Sequence, residues 1–204
     1  MIIDPSQLSL PQNSQLVTGS VVPRPIAWVS TIAPDGSYNL APFSYFMAIG
    51  ADPPQLAFSV NWRVRANSKK DTLSNIEASG ELVINVATEA TAEKMNHTSG
   101  EWGPEVDEFS AVGLTPLPSV KVKAPRVAES PVNIECRLNQ IVRLGSEKAP
   151  AHLIIVEAVL WHVRDDLLTP QNTIDVKKLH AIGRLSYNYY TRTNELFEMV
   201  RPQV

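Results

Sequence analysis

The sequence holds a single cysteine, Cys136, so no internal disulfide can form and no Cys-x-x-Cys metal or redox pair exists. A lone thiol suits a reducing compartment, and a cytoplasmic protein is expected. Lys and Arg form no long run and the formal net charge is −3, which argues against nucleic acid and an anionic membrane as partners. No stretch approaches about 18 uninterrupted apolar residues, so no membrane-spanning helix is expected. The start, MIIDPSQLSLPQNSQ, has neither a cationic segment nor a long apolar run, so no secretory signal is expected. GxGxxG and GxxxxGK(S/T) are both missing, which removes support for Rossmann dinucleotide binding and P-loop hydrolysis. No HExxH or Cys/His cluster suggests a metal, and no GxSxG suggests a hydrolase elbow.

What remains is a chain of 204 residues, 44 % hydrophobic, enough for one domain over 1–204 with a sizeable core. A polar arm over 1–22 and a long loop over 98–119 are expected to flank that core. Sixteen prolines and nine glycines, widely spread, suit many short strands and turns.

The stretch Pro23 to Phe46, PRPIAWVSTIAPDGSYNLAPFSYF, reads as two strands around a Pro34-Asp35-Gly36 turn. Ile26, Trp28, Ser30 and Ile32 share one face, and Ala27, Val29 and Thr31 the other. Pro42 confines the second strand to an edge or a bulge. Ser30, Thr31, Asn39, Ser44, Tyr45 and Phe46 read either as ordinary strand residues or as one wall of a site. Gln55 to Asn61 reads as a third strand. Its face of Leu56, Phe58 and Val60 is apolar, and its other face offers Ser59 and Asn61.

WRVRANSKK, Trp62 to Lys70, reads as a basic loop before a helix that Ser68 or Asp71 caps and Gly80 ends. Arg63, Arg65, Lys69 and Lys70 before a helix start, with Thr72 in its first turn, suit either a phosphate or a solvated loop. Glu81 to Ala87 reads as a strand, and Thr88 to His97 as a short helix capped by Thr88. In the long loop, one helical turn is expected over Asp107 to Val112, ended by Gly113. The loop suits a packed surface excursion or a substrate lid, and Glu101, Glu105, Asp107 and Glu108 read as a solvated face. Strands follow at Lys123 to Ala128, Val132 to Leu144 and His152 to Val163. No amphipathic helix separates them, so an antiparallel barrel with a few short helices is expected rather than a parallel sheet.

RPIAWVST, DGSYNLAPFSYF, Pro53-Pro54, KKDTLSNI, ESPVNIEC, WHVRDDLL and IGRLSYNYYTR occur in order along nearly the whole chain. Through them the chain resembles the flavin reductase-like, FMN-binding split-barrel flavoproteins, including the flavoredoxin-type members. The resemblance implies a mainly β, FMN-binding split β-barrel of Greek-key antiparallel type, usually a homodimer with flavin near the interface. It implies an FMN-dependent oxidoreductase in which NAD(P)H is a transient hydride donor to flavin N5 and the electrons pass on to an acceptor it does not name. A flavin-binding electron carrier without NAD(P)H turnover, or a flavin-free binding dimer, is the alternative.

Residue by residue, the resemblance implies Trp28, Ser30 and Thr31 along the flavin ring and ribityl chain. It implies Asn39, Ala41, Ser44, Tyr45, Phe46, Ser59 and Asn61 as further contacts, and Lys69, Asp71 and Thr72 at the phosphate. Arg63 and Arg65 compete with Lys69 for that phosphate. Arg184 and Tyr187 in the tail contact flavin from this subunit or a partner's. His162 stands either near the flavin as a catalytic, nicotinamide-placing residue or as a rim histidine bonded to backbone.

Overall fold

The computed structural model describes residues 1–62, 68–103, 105–147 and 149–203. The arm forms helix α1 (Leu10–Ser20), with Ser9 and Gln12 in a capping box and Pro11 in the first turn. No α1 residue is buried. The opening hairpin is present as β1 (Ala27–Ile32) and β2 (Tyr38–Phe43), paired antiparallel in the register Trp28↔Pro42 and Thr31↔Asn39. Asp35 turns the chain by accepting from the Ser37 N–H at 3.0 Å, and Gly36 takes φ 90°. β3 (Phe46–Ala51) follows and pairs with β4 (Pro54–Asn61). The sequence reading passed over β3, because its run Phe46 to Ala51 does not alternate and leaves Met47 and Ile49 exposed.

Helix α2 (Asp71–Ser79) ends at Gly80, which is left-handed at φ 67°. Its N-cap is Lys70, with no side-chain cap bond, so neither Ser68 nor Asp71 caps it. β5 (Glu81–Val86) leads to helix α3 (Ala92–His97) through a short 3-10 turn, where the Thr88 N–H donates to Thr91 Oγ1 at 3.0 Å. In the long loop α4 (Glu108–Ala111) is the expected single turn, capped by Asp107 and stopped at Gly113. Two-residue strands β6 (Pro116–Leu117) and β7 (Arg126–Val127) pair with each other. Long strands β8 (Val132–Ser146) and β9 (Ala149–Val163) form a hairpin. The tail adds α5 (Val176–Leu179), β10 (Ile182–Arg184) and β11 (Tyr190–Arg192).

Seven antiparallel strands make the main sheet, in the order β2-β1-β5-β8-β9-β4-β3. The two edge strands are consecutive in the chain, joined only by Ser44 and Tyr45. The sheet therefore curls until its edges approach. The Phe43 and Phe58 rings lie 5.4 Å apart, and the Ser59 N–H donates to the Tyr45 carbonyl at 2.8 Å. The result is an antiparallel barrel with a split between β2 and β3. Its core holds Val29, Phe43, Phe58, Val60, Ile84, Ile134 and Ile154, and α2 closes one end with Leu73 and Ile76. A second apolar cluster outside the wall packs Trp28 and Leu40 against Met95, Phe109 and Ile182. Both faces of β1 are thus buried.

The edge position of β2 explains Pro42. The Leu40 N–H points off the edge, to the Glu108 carboxylate at 3.0 Å. Two residues on, Pro42 faces the same way, so its missing N–H removes no ladder bond.

Candidate functional site

The barrel's split opens into a trough around Pro42. One section, about 280 Å³, is walled by Arg24, Ser44, Tyr45, Ser59, Asn61, Lys70, Arg184 and Tyr187. A second, about 430 Å³, shares Pro42 and Lys70 with the first and reaches Asn39, Ala41, Trp62, Asp71, Thr72 and Glu108. A third, about 200 Å³, shares Pro42, Ser44 and Arg184 with the first.

The first section is cationic, and its described lining residues include no carboxylate. Arg24, 5 % exposed, donates to the Thr18 carbonyl at 2.7 Å, the Val21 carbonyl at 2.9 Å and the Leu185 carbonyl at 2.8 Å. It reaches Ser44 Oγ at 3.4 Å and lies 5.9 Å from the Tyr45 ring centre. One guanidinium thereby ties α1 and the tail to the split. Burial lowers its pKa, Tyr45 opposes that shift, and Arg184 adds to it. Arg184 lies 4.4 Å over the Tyr190 ring, and Lys70 5.4 Å over the Phe43 ring. Ser44, Ser59 and Asn61 add hydroxyl and amide groups. Cations with short polar donors are the chemistry of a phosphate site.

The second section is polar and rests on a buried network. Asn39 Nδ2 donates to Thr72 Oγ1 at 2.8 Å and to Thr31 Oγ1 at 3.3 Å, and Asn75 Nδ2 donates to Thr31 Oγ1 at 3.0 Å. β1, β2 and α2 are fixed to one another at this point. Glu108, 6 % exposed, forms part of the wall. Burial pushes its carboxyl up to about 7, the Leu40 N–H opposes this, and Asp71 and Asp107 add to it. Glu108 is therefore not part of a solvated acidic face, because α4 turns it inward onto β2.

Of the residues the resemblance implied, the structure gathers Asn39, Ala41, Ser44, Tyr45, Ser59, Asn61, Asp71, Thr72 and Arg184 along the trough. Others lie elsewhere. Trp28 is fully buried, and its Nε1 donates to Thr98 Oγ1 at 2.9 Å. Ser30 is fully buried, donates to the Pro125 carbonyl and accepts from Asn85, so it holds the covering loop. Thr31 lies beneath the trough, reaching it only through Asn39. Phe46 packs on the barrel core. Lys69 pairs with Glu77 at 2.7 Å and lines no trough section, whereas its neighbour Lys70 lines two. Arg63 and Arg65 lie outside the described residues.

His162 is also elsewhere. Pro42, Trp28, Asn85, Asn133 and His162 are successive cross-strand partners, so His162 sits four strands from Pro42. That is roughly 19 Å along the sheet. Its Nε2 lies 2.5 Å from Oε1 of Glu135, which is fully buried. Glu135 also accepts from the N–H groups of Val120, Lys121 and Val122. Burial raises its pKa, but His162 and the Val120 and Lys121 amides outweigh this and hold the carboxyl below its ordinary value. The pair anchors the loop over the sheet.

The sequence reading missed Arg24, Glu108 and Thr18 as trough residues. Arg24 and Pro25 open the RPIAWVST segment, so the segment itself carried that signal. Nothing in the local pattern around Glu108 marks it as buried.

Curled antiparallel strands with a split edge define the class, and the comparisons agree with it. The barrel superposes on a split barrel domain protein from Shewanella frigidimarina with TM-score 0.83 at 22 % identity, over 97 % of this chain and 96 % of that one. Residues 18–185 match the flavin reductase like domain, and the chain belongs to that family. It is similar to nitrilotriacetate monooxygenase component B from Bacillus cereus, with TM-score 0.92 and 32 % identity over 98 % of both chains. It is also similar to the 2-nitrobenzoate 2-nitroreductase NbaA of Pseudomonas fluorescens, with TM-score 0.89 and 30 % identity over 99 % of this chain and 96 % of that one.

Proposed function

We propose that this protein is an FMN-dependent oxidoreductase that takes hydride from NAD(P)H, a flavin reductase-like enzyme with FMN in the trough around Pro42. The observation that carries the reading is the first section: Arg24, Lys70 and Arg184 surround a cleft whose described lining residues bear no opposing carboxylate. Family membership supports a flavin as the occupant, and the charge layout supports a place for its phosphate. That place is the cleft lined by Lys70 and Arg184, rather than Lys69, which lines no section of the trough.

The residues fit the group. Ser44, Ser59 and Asn61 offer hydrogen bonds to a phosphate and ribityl chain. The outer edge of β2, whose carbonyls at Leu40 and Pro42 face away from β1, and the Asn39–Thr72 network offer fixed polar groups to a planar heterocycle. When bound, FMN supplies a hydride acceptor and a two-electron store. The chain's own part is to hold the phosphate, orient the ring against β2 and shield one side from water. It needs no acid or base from His162, which lies outside the trough.

The same reading makes the protein a homodimer. Exposed Leu16 and Val17 on α1, with Met47 and Ile49 on β3, support it. Titration of the purified protein with FMN, followed by anaerobic NADH or NADPH, tests the reading. Stoichiometric FMN binding and rapid bleaching are expected. Binding without bleaching leaves an electron carrier, and no binding rejects the proposal.

A further inference from the structure

Glu108 is the one buried carboxyl in the trough wall among the described residues. One oxygen, Oε2, accepts the Leu40 N–H at 3.0 Å. The carboxyl makes no further hydrogen bond to another residue among those described. Asp107 caps α4 and so fixes the backbone that carries it. The charged groups around the cavity are Asp71 and Lys70 at the start of α2, Glu101 in the loop after α3, and Asp107 on the same turn. β2, packed against α4, contributes none, since its only titratable residue is Tyr38. A carboxylate here would be desolvated and would face the Asp71 charge, whereas a carboxylic acid would have a proton to give. On the same wall, Trp62 Nε1 is a buried donor with no partner among the described residues. The Trp62 indole N–H and, when Glu108 is protonated, a carboxyl O–H on the same wall would together suit an uncharged carbonyl or ring-nitrogen acceptor.

We propose that Glu108 acts as a neutral acid that donates a hydrogen bond to an acceptor atom of the heterocycle bound in the second section of the trough. This rests on the flavin reading of the trough and assigns that section to the uncharged ring, with the phosphate kept in the cationic section. Deprotonation removes the donor and sets a negative charge against ring oxygens or nitrogens, so ligand affinity falls as pH rises.

The test measures FMN dissociation constants for wild type and Glu108→Gln between about pH 7 and pH 9, where the FMN phosphate is already dianionic. Wild-type affinity is expected to fall at least about tenfold across that range, following the acid fraction of a group that titrates near its lower end. Glu108→Gln keeps an oxygen for Leu40 and an N–H for the ligand, so its affinity is expected to stay flat. A second measurement needs no variant. The infrared carbonyl band of a protonated carboxyl is expected to persist to higher pH in the FMN-bound protein than in the free protein. Tight FMN binding with parallel pH slopes in both proteins overturns the donor role alone, as does a carboxyl band that FMN does not shift. No FMN binding by either protein overturns the flavin reading, and the donor role with it.

Discussion

Asn39 Nδ2 donates to Thr72 Oγ1 at 2.8 Å, joining the edge strand of the barrel to the first turn of α2. Thr72 is 1 % exposed and Asn39 8 %, so neither group has water as a ready substitute partner. Among the described residues, Thr72→Val leaves Asn39 Nδ2 with only its 3.3 Å contact to Thr31. The expected cost is about 1–3 kcal/mol in urea unfolding. FMN affinity is expected to drop about tenfold, which is roughly 1.4 kcal/mol at the site. A variant with unchanged affinity and lowered stability would confine the pair to a structural role.

Adjacent lysines are expected to behave differently. Lys69 pairs with Glu77 on an exposed surface, and such a pair contributes little. Lys69→Ala is expected to leave FMN affinity within about twofold. Lys70→Ala or Arg184→Ala is expected to weaken FMN about tenfold or more while leaving riboflavin affinity nearly unchanged, because the lost contact is to phosphate. Equal losses for FMN and riboflavin would place the phosphate elsewhere.

His162→Gln is expected to keep NAD(P)H-dependent flavin reduction within about twofold, given roughly 19 Å of sheet between it and Pro42. Its partner matters for stability instead. Glu135→Ala leaves three loop N–H groups and His162 without their acceptor. The expected loss is about 2–4 kcal/mol at neutral pH, with faster amide exchange at Val120 to Val122. Because the Glu135 pKa is lowered on folding, its contribution is present above the ordinary carboxylate range and is lost as pH falls through the lowered folded value. The gap between wild type and variant should therefore narrow in acid.

Glu108 has the opposite sign. Its folded pKa is raised from 4.5 to about 7. Below 4.5 both states hold the proton and nothing is lost. Between 4.5 and about 7 the unfolded chain releases it while the folded protein keeps it, so stability declines with rising pH, and above about 7 the loss is complete. The full shift corresponds to at most about 3 kcal/mol. Glu108→Gln does not titrate, so its stability relative to wild type is expected to rise between about pH 5 and pH 8 in denaturant melts. A constant difference would mean that Glu108 stays ionised in the folded protein.

Much of the barrel was legible because its strands obey a period of two. β1, β4, β5, β8 and β9 alternate or run apolar, Pro42 announces an edge, and Gly80 and Gly113 stop their helices. β3 was not, since an edge strand with exposed Met47 and Ile49 carries no buried face to read. α1 lacks a buried stripe too, although Ser9, Pro11 and Gln12 spell out its N-terminus. At the site, Ser44, Ser59, Asn61 and Thr72, read from strand face and helix start, line the trough. Trp28 and Ser30 were not, because a second layer of loop and helix covers the outer face of β1, and local alternation cannot report a second layer. Glu108 and His162 owe their settings to partners far away along the chain, at Leu40 and Glu135. No short-range pattern encodes those partners.

The central claim is that the split between β2 and β3 holds FMN by its phosphate. Equilibrium titration of FMN against riboflavin, by flavin absorbance and fluorescence, in wild type and Lys70→Ala measures it most directly. The account predicts one FMN per chain, a marked wild-type preference for FMN over riboflavin, and loss of most of that preference in the variant. Wild-type protein that binds neither flavin, or binds both equally, would contradict it.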